Sequence, residues 1–158
     1  MDTIRVVRGT ATGPTATASY DAALAAAGVE NFNLVTVSSV IPADADLTVT
    51  DTAPDLGDVG DLLTVVQSRE TTPPGEAGAA GIGWARSESG RGIFYEASGP
   101  DEATVRERIA AGLAAGRDLR DWSFVAEDTV VAAAEPAPEE YTTAVVLAAY
   151  GRGRPAVR

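Results

Sequence analysis

Apolar residues recur along this chain in short alternating runs that are typical of β-strands, and turns rich in Gly, Pro and Asp separate these runs. The pattern predicts strands at 4–8, 32–37, 46–51, 62–67, 78–85, 93–97, 122–126, 129–134 and 142–150. Segments 122–126 and 129–134 can also be read as one bulged strand. Loops are predicted at 10–17, 55–61, 71–75 and 135–140, where Gly, Pro, Thr, Asp or Glu predominate.

Two segments have helical spacing instead. The first helix is predicted over 20–27, with Ser19 as its N-cap and Gly28 at the position that follows its C-terminal end. The second and longer helix is predicted over 101–115 and is expected to end at Gly116. Three apolar residues of this helix share one face: Val105, Ile109 and Leu113.

These elements predict a single domain of the α+β class, with two helices against about eight strands. The chain contains no internal repeat and no linker, so residues 1–150 are expected to form the domain. The strand predicted at 78–85 is rich in Gly and Ala, which permits close approach by another backbone. The basic tail at 151–158 is expected to be merely solvated.

Composition excludes several kinds of active site. The 158 residues include no Cys, no His and no Lys, and all twelve basic residues are Arg. A lysine Schiff base, a Walker lysine, a Ser-His or Cys-His pair and a thiolate or imidazole metal site are therefore excluded, and no metal is expected. The lack of Cys, of a signal peptide and of a long apolar run favours a cytoplasmic protein that does not enter membranes.

The formal net charge of −11 argues against a nucleic-acid partner, because little positive charge is available to neutralise phosphates. We interpret the acidity as adaptation to a salty cytoplasm. At about 1 M salt the Debye length is only about 3 Å, so repulsion between surface carboxylates is screened. Acidic side chains then maintain solubility at little cost in stability.

The pair Ser38-Ser39 lies between a β-branched run and Pro42. If the strand stays regular, Asn33 and Ser39 lie on the same face. The Ser39 hydroxyl could attack the Ser38 carbonyl to form an ester, and elimination followed by hydrolysis would leave a pyruvoyl group at position 39. Such a step requires a distorted peptide bond and donors for the developing oxyanion, one candidate being the amide of Asn33. From spacing alone, ordinary turn chemistry is the favoured interpretation of a Ser-Ser pair before proline.

The segment 20–42 contains the pattern Asn-x-Asn-Leu-x-x-x-Ser-Ser and resembles the signature of archaeal pyruvoyl-dependent arginine decarboxylases. Supporting similarity continues at 74–76 (Pro-Gly-Glu), at 92–96 (Gly-Ile-Phe-Tyr-Glu) and at 120–122 (Arg-Asp-Trp), so it covers nearly the whole chain. The sequence departs from the family after the serine pair, where a second proline is expected. This difference concerns the loop and not the chemistry.

The resemblance implies cleavage between Ser38 and Ser39, giving a β chain of residues 1–38 and an α chain of residues 39–158. The covalent cofactor would be a pyruvoyl group derived from Ser39. Asn33 matches the active-site amide of the family. Three positions match substrate-binding residues: Asp21, Leu24 and Ser38. Members of the family are four-layer αββα sandwiches, assembled as homotrimers of αβ units with active sites between subunits.

Glu96 matches the glutamate that donates a proton in the family. It follows an apolar run, where partial burial would raise its pKa and keep a proton available near neutral pH. The other interpretation is an exposed position in an alternating strand. The implied reaction converts L-arginine to agmatine and CO₂ through an imine with the pyruvoyl group. Glu96→Gln is then expected to slow turnover and to leave self-cleavage intact.

Two alternatives remain open at this point. The same chemistry could act on another amino acid, although Asp21 favours a cationic side chain because a guanidinium group pairs well with a planar carboxylate. The chain could also be an unprocessed trimeric module that binds a small cation or a partner without catalysis. Retention of both Ser38 and Ser39 argues against such a module.

Overall fold

The chain folds into two β-sheets that face each other, and one helix covers the outer face of each sheet. The computed structural model describes residues 3–53 and 55–158. Within these ranges the elements are β1 Thr3–Gly13, α1 Ala16–Ala27, β2 Asn33–Thr36, β3 Val40–Ile41, β4 Asp46–Val49, β5 Leu62–Thr72, β6 Gly78–Ser87, β7 Gly92–Gly99, α2 Glu102–Asp118, β8 Phe124–Ala134 and β9 Tyr141–Tyr150. Neither helix has the length and apolar character needed to cross a bilayer.

Sheet A has five strands in the order β2-β5-β9-β1-β4, and sheet B has four in the order β3-β7-β6-β8. β1 lies inside sheet A, where it pairs antiparallel with β9 at ten positions and parallel with β4 at four. β9 is also an inner strand, and it is buried on both faces because Val145, Leu147 and Ala149 point toward α1 while Ala144, Val146 and Ala148 point toward sheet B. A strand that is buried on both faces has a continuous run of apolar residues, and residues 144–149 form such a run.

Three separate apolar clusters divide the fold into four layers. One cluster joins α1 to sheet A and includes Leu63 and Leu147. The second lies between the sheets and includes Phe94. The third joins α2 to sheet B and includes Ile109 and Leu113. The predicted αββα sandwich of the α+β class is therefore confirmed.

The contact between α2 and sheet B depends on the glycines of β6. Gly81 and Gly83 face α2, and a side chain at either position would overlap Ile109. The helix can thus lie close to the strand, as the Gly- and Ala-rich sequence predicted. Ile109 and Leu113 are fully buried in this contact, and burial of each contributes about 1.5–3 kcal/mol.

The start of α1 differs from the prediction. β1 continues to Gly13 and α1 begins at Ala16, so only residues 14–15 of the predicted loop at 10–17 lie outside both elements. Thr15 is the N-cap, because its hydroxyl accepts a hydrogen bond from the Ala18 N–H at 3.0 Å. Ser19 is instead a buried residue within α1, and its hydroxyl lies 2.7 Å from that of Thr143. Gly28 ends the helix as predicted, with a left-handed φ of 82°.

Other boundaries also shift. α2 continues past Gly116 to Asp118, since Gly116 is a contact point for the ring of Tyr95 and not a helix end. β5 continues to Thr72, which shortens the predicted loop at 71–75. β8 is one strand with a register irregularity opposite Arg86 and Ser87, which agrees with the bulged interpretation of 122–134.

The prediction that the tail at 151–158 is merely solvated is wrong for its first residues. The Gly151 N–H donates to the Thr3 carbonyl at 3.0 Å, and Arg154 forms a β-bridge with Leu62. The start of the tail is therefore attached to sheet A. Beyond Arg154 the residues are exposed.

Candidate active site

The serine pair lies where the chain passes from sheet A to sheet B. On one side of the pair, the Val37 N–H donates to the Val65 carbonyl of β5 at 3.0 Å. On the other side, the Ser39 carbonyl accepts from the Phe94 N–H of β7 at 2.9 Å. The two sheets thus hold the peptide bond between Ser38 and Ser39 from both ends.

A tight turn is centred on Ser39. The Val40 N–H donates to the Ser38 carbonyl oxygen at 3.0 Å, which closes a three-residue turn. The next carbonyl, that of Val40, accepts a hydrogen bond from the Tyr150 hydroxyl at 2.8 Å. If a nucleophile attacks the Ser38 carbonyl, the Val40 N–H is already aimed at the oxygen on which negative charge develops.

Glu96 contacts the side chain of Ser39. The Ser39 Oγ donates to Glu96 Oε2 at 3.1 Å, although the two residues are 57 positions apart in the sequence. Glu96 is exposed in the single chain, so the expected partial burial is not observed. The carboxylate is nevertheless placed to take a proton from the Ser39 hydroxyl.

These groups share one open cavity of about 290 Å³. Its lining residues come from the serine turn, from β7 and from the segment after α2, and they are Ser38, Ser39, Val40, Ile93, Phe94, Tyr95, Glu96 and Arg120. Next to this cavity, burial and then the negative charge of Glu96 raise the pKa of Tyr150 to about 12. The Tyr150 hydroxyl therefore keeps its proton and remains a hydrogen-bond donor at neutral pH.

Three predicted site residues do not reach this cavity within one chain. Asn33 lies at the other end of β2, where its Nδ2 donates to the Gly60 carbonyl at 2.8 Å, so it is not the oxyanion donor in this arrangement. The regular alternation that would align it with Ser39 ends with β2 at Thr36. Asp21 is exposed on α1, whereas Leu24 is packed against sheet A with 8 % of its surface exposed.

Comparisons with known proteins identify the family of this chain. The family model for pyruvoyl-dependent arginine decarboxylase (PvlArgDC) matches residues 3–155. The chain belongs to this family. It is 47 % identical to the pyruvoyl-dependent arginine decarboxylase of Halobacterium salinarum over 98 % of both chains. It is 31 % identical to the enzyme of that name from Methanopyrus kandleri, over 92 % of this chain and 93 % of the relative.

Membership of the pyruvoyl-dependent arginine decarboxylase family also bears on composition. Another relative of the same name, from Pyrococcus horikoshii, is 31 % identical over 89 % of this chain. The archaeal relatives, and Halobacterium salinarum in particular, fit the interpretation of the acidic sequence as adaptation to salt.

The residues of the site fit the covalent pyruvoyl group that the family name implies. A pyruvoyl group at position 39 would keep the Ser39 carbonyl that Phe94 N–H already holds. The side-chain position of Ser39 faces Glu96 and lies on the cavity wall, which leaves space for a small substrate beside it.

Sequence reasoning did not identify Val40 N–H, Tyr150 or Arg120 as parts of the site. The backbone donor carries no sequence signal, because it depends on the turn between β2 and β3. Tyr150 lies 110 positions from Val40 and is brought to the turn only by the packing of the two sheets. Arg120 could have been found, since it begins the Arg-Asp-Trp segment that the family resemblance includes.

Proposed function

We propose that this chain cleaves itself between Ser38 and Ser39 and then decarboxylates L-arginine to agmatine and CO₂. The observation that carries the proposal is the hydrogen bond from Ser39 Oγ to Glu96, beside a Ser38 carbonyl that the Val40 N–H already polarises. Family membership supplies the class of reaction and the substrate.

In the cleavage step, Ser39 Oγ attacks the Ser38 carbonyl carbon while its proton passes to Glu96. The Val40 N–H stabilises the charge on the carbonyl oxygen, and the C–N bond breaks to leave an ester and a free amine. Elimination then produces dehydroalanine at position 39 and a carboxylate on Ser38. Water replaces the nitrogen of dehydroalanine, which leaves as ammonia, and position 39 becomes the pyruvoyl group.

In the decarboxylation step, the pyruvoyl group supplies the electron sink for loss of CO₂. The chain's own residues orient the substrate and deliver a proton. Glu96 donates that proton to the former α-carbon, since its carboxyl group faces position 39 across about 3 Å. This assignment gives Glu96 a role in both steps and revises the expectation that Glu96→Gln leaves self-cleavage intact.

Recognition of arginine requires groups that one chain does not bring to the cavity. We propose a homotrimer of αβ units in which a neighbouring subunit supplies Asp21, Leu24 and Asn33, while Ser38 contributes from the same chain as position 39. The Asp21 carboxylate would pair with the substrate guanidinium group. The cytoplasmic location suggested by the sequence likewise remains a proposal.

Intact-mass spectrometry of the purified protein tests self-cleavage. We expect two fragments, residues 1–38 and 39–158, whose masses sum to that of the uncut chain plus one water and minus one ammonia. Ser39→Ala should remain one chain. Ser38→Ala is the matched control, and it should still be cut because position 38 supplies only its carbonyl. A wild-type chain recovered whole, or a cut Ser39→Ala chain, would contradict the proposal.

The substrate is tested separately on cleaved protein. Release of CO₂ from arginine is compared with release from lysine, ornithine and histidine at matched concentrations. Arginine should be the preferred substrate, with agmatine as the product. Preference for another amino acid would keep the chemistry and reject the substrate.

A further inference from the structure

Arg120 places a guanidinium group on the wall of the cavity that holds the serine pair. Of the residues that line this cavity, it is the one basic side chain within the described ranges, and Glu96 is the one acidic side chain. Arg120 is half-buried and follows the C-terminal end of α2. A cation in this position requires an explanation, since the substrate proposed above is itself cationic.

Two contacts hold Arg120 in place. Its Nη1 donates to the Gly116 carbonyl at 2.8 Å, and its Cζ lies 5.5 Å from the centre of the Trp122 ring. A guanidinium group has five N–H donors, so one hydrogen bond to a carbonyl leaves most of them for another acceptor. The side chain is thus oriented by the protein and keeps capacity to bind an anion.

Self-cleavage creates an anion at this location. When the ester between Ser38 and Ser39 eliminates, the bond between Ser39 Cβ and the ester oxygen breaks and its electron pair stays on that oxygen. The proton on Ser39 Cα passes to water, and Ser38 becomes a carboxylate. This carboxylate forms in the cavity that Glu96 also lines, so it adds a second negative charge to that cavity.

We propose that Arg120 stabilises the Ser38 carboxylate as it leaves, and so accelerates the elimination step of self-cleavage. The inference rests on the proposed function, and it assigns Arg120 a role in the proposed self-cleavage. A guanidinium group matches a carboxylate in geometry and charge. The interaction grows as the negative charge develops, which is the condition for lowering a barrier.

The carboxylate of the substrate is a less suitable partner for Arg120. That group loses its charge when it departs as CO₂. A guanidinium group bound to it would stabilise the starting state more than the transition state and would slow the reaction. The Ser38 carboxylate gains charge during its reaction and then stays in the site.

The test is to follow cleavage of freshly purified, uncut chains with and without hydroxylamine. Hydroxylamine cuts an ester and leaves the amide uncut, so it reports chains that have formed the ester but have not eliminated. We expect Arg120→Gln to slow spontaneous cleavage by about 10²- to 10³-fold, as for loss of one donor to a developing anion. We also expect it to give hydroxylamine-dependent cleavage, with a hydroxamate at Ser38 and a serine at the new amino end.

Two variants serve as controls. The guanidinium group of Arg91 also stacks on the Trp122 ring, with its Cζ 4.7 Å from the ring centre, but Arg91 does not line the cavity. Arg91→Gln should therefore be cleaved at the wild-type rate. Arg120→Lys keeps the charge and should retain most of the spontaneous rate. Absence of hydroxylamine-dependent cleavage in Arg120→Gln overturns the inference, whether the variant eliminates at the wild-type rate or stops before the ester. An uncut wild-type chain would instead reject the proposed function.

Discussion

The hydroxyl group of Tyr150 connects the last strand to the turn centred on Ser39, and its removal gives a measurable prediction. Tyr150→Phe keeps the ring, including its edge-to-face contact with Phe94 at 6.1 Å between ring centres. It deletes the hydrogen bond of 2.8 Å to the Val40 carbonyl. We expect the free energy of unfolding to fall by about 0.5–1.5 kcal/mol near neutral pH, as for loss of one hydrogen bond.

The effect of this substitution should depend on pH. Because the pKa of Tyr150 is raised from 10.0 to about 12, the unfolded chain loses this proton first as the pH rises. The stability that this group contributes is therefore fully present below about pH 10 and is lost as the pH approaches 12. A shift of two units corresponds to at most about 2.7 kcal/mol, and partial exposure of the side chain reduces this to about 1 kcal/mol.

The assay compares denaturant unfolding of Tyr150 and Tyr150→Phe chains at several pH values between about 8 and 12. Both carry Ser39→Ala so that the chain stays uncut, and protein and salt concentrations are fixed because assembly affects stability. Other titrating groups cancel in the difference. The stability gap between the two proteins should close as the pH rises. A gap that stays constant or widens would refute the assignment of the raised pKa to this partly buried hydroxyl.

Three further substitutions have defined outcomes. Glu96→Gln should lower CO₂ release per pyruvoyl group, and slow self-cleavage followed by mass spectrometry, by about 10²- to 10⁴-fold each; wild-type turnover would remove Glu96 from the mechanism. Gly83→Ala should lower the free energy of unfolding by about 1–3 kcal/mol, because the new methyl group overlaps Ile109; an unchanged denaturation midpoint would argue against tight packing there. Asp21→Asn should raise KM for arginine about 10- to 100-fold with self-cleavage unchanged, as expected for loss of a charge-assisted pair of about 1.5–3 kcal/mol. An unchanged KM would exclude Asp21 from substrate binding.

Most of the fold could be predicted from the sequence because alternation and helical spacing follow directly from burial. The apolar face of α2 and the strand at 142–150 were both predicted from the sequence, and the structure adds that this strand, β9, is buried on both faces. The start of α1 was not, because residues 16–18 are Ala, Thr and Ala and carry no apolar periodicity. Ser19 is the better cap by residue type, but in the structure its hydroxyl contacts Thr143 and Thr15 takes the cap position.

In the candidate site, too, local sequence patterns predict some residues, whereas others depend on tertiary contacts. The serine pair and Glu96 belong to local motifs that carry the family resemblance, so sequence alone could single them out as candidates. The turn donor at Val40 and the hydroxyl of Tyr150 depend on how two sheets meet, which no local pattern records. Asn33 shows the converse error, since extending regular alternation past Thr36 aligned it with Ser39 although the strand ends before that position.

The place of β1 within sheet A has a consequence for the mature protein. The shorter product of the cut would contain β1, α1 and β2, and its first strand is held by neighbours on both sides. Losing that piece would mean extracting an inner strand, which is paired with β9 alone at ten positions. The nicked molecule should therefore migrate as a single particle until it is denatured, in the way that a clipped surface loop leaves a folded protein whole.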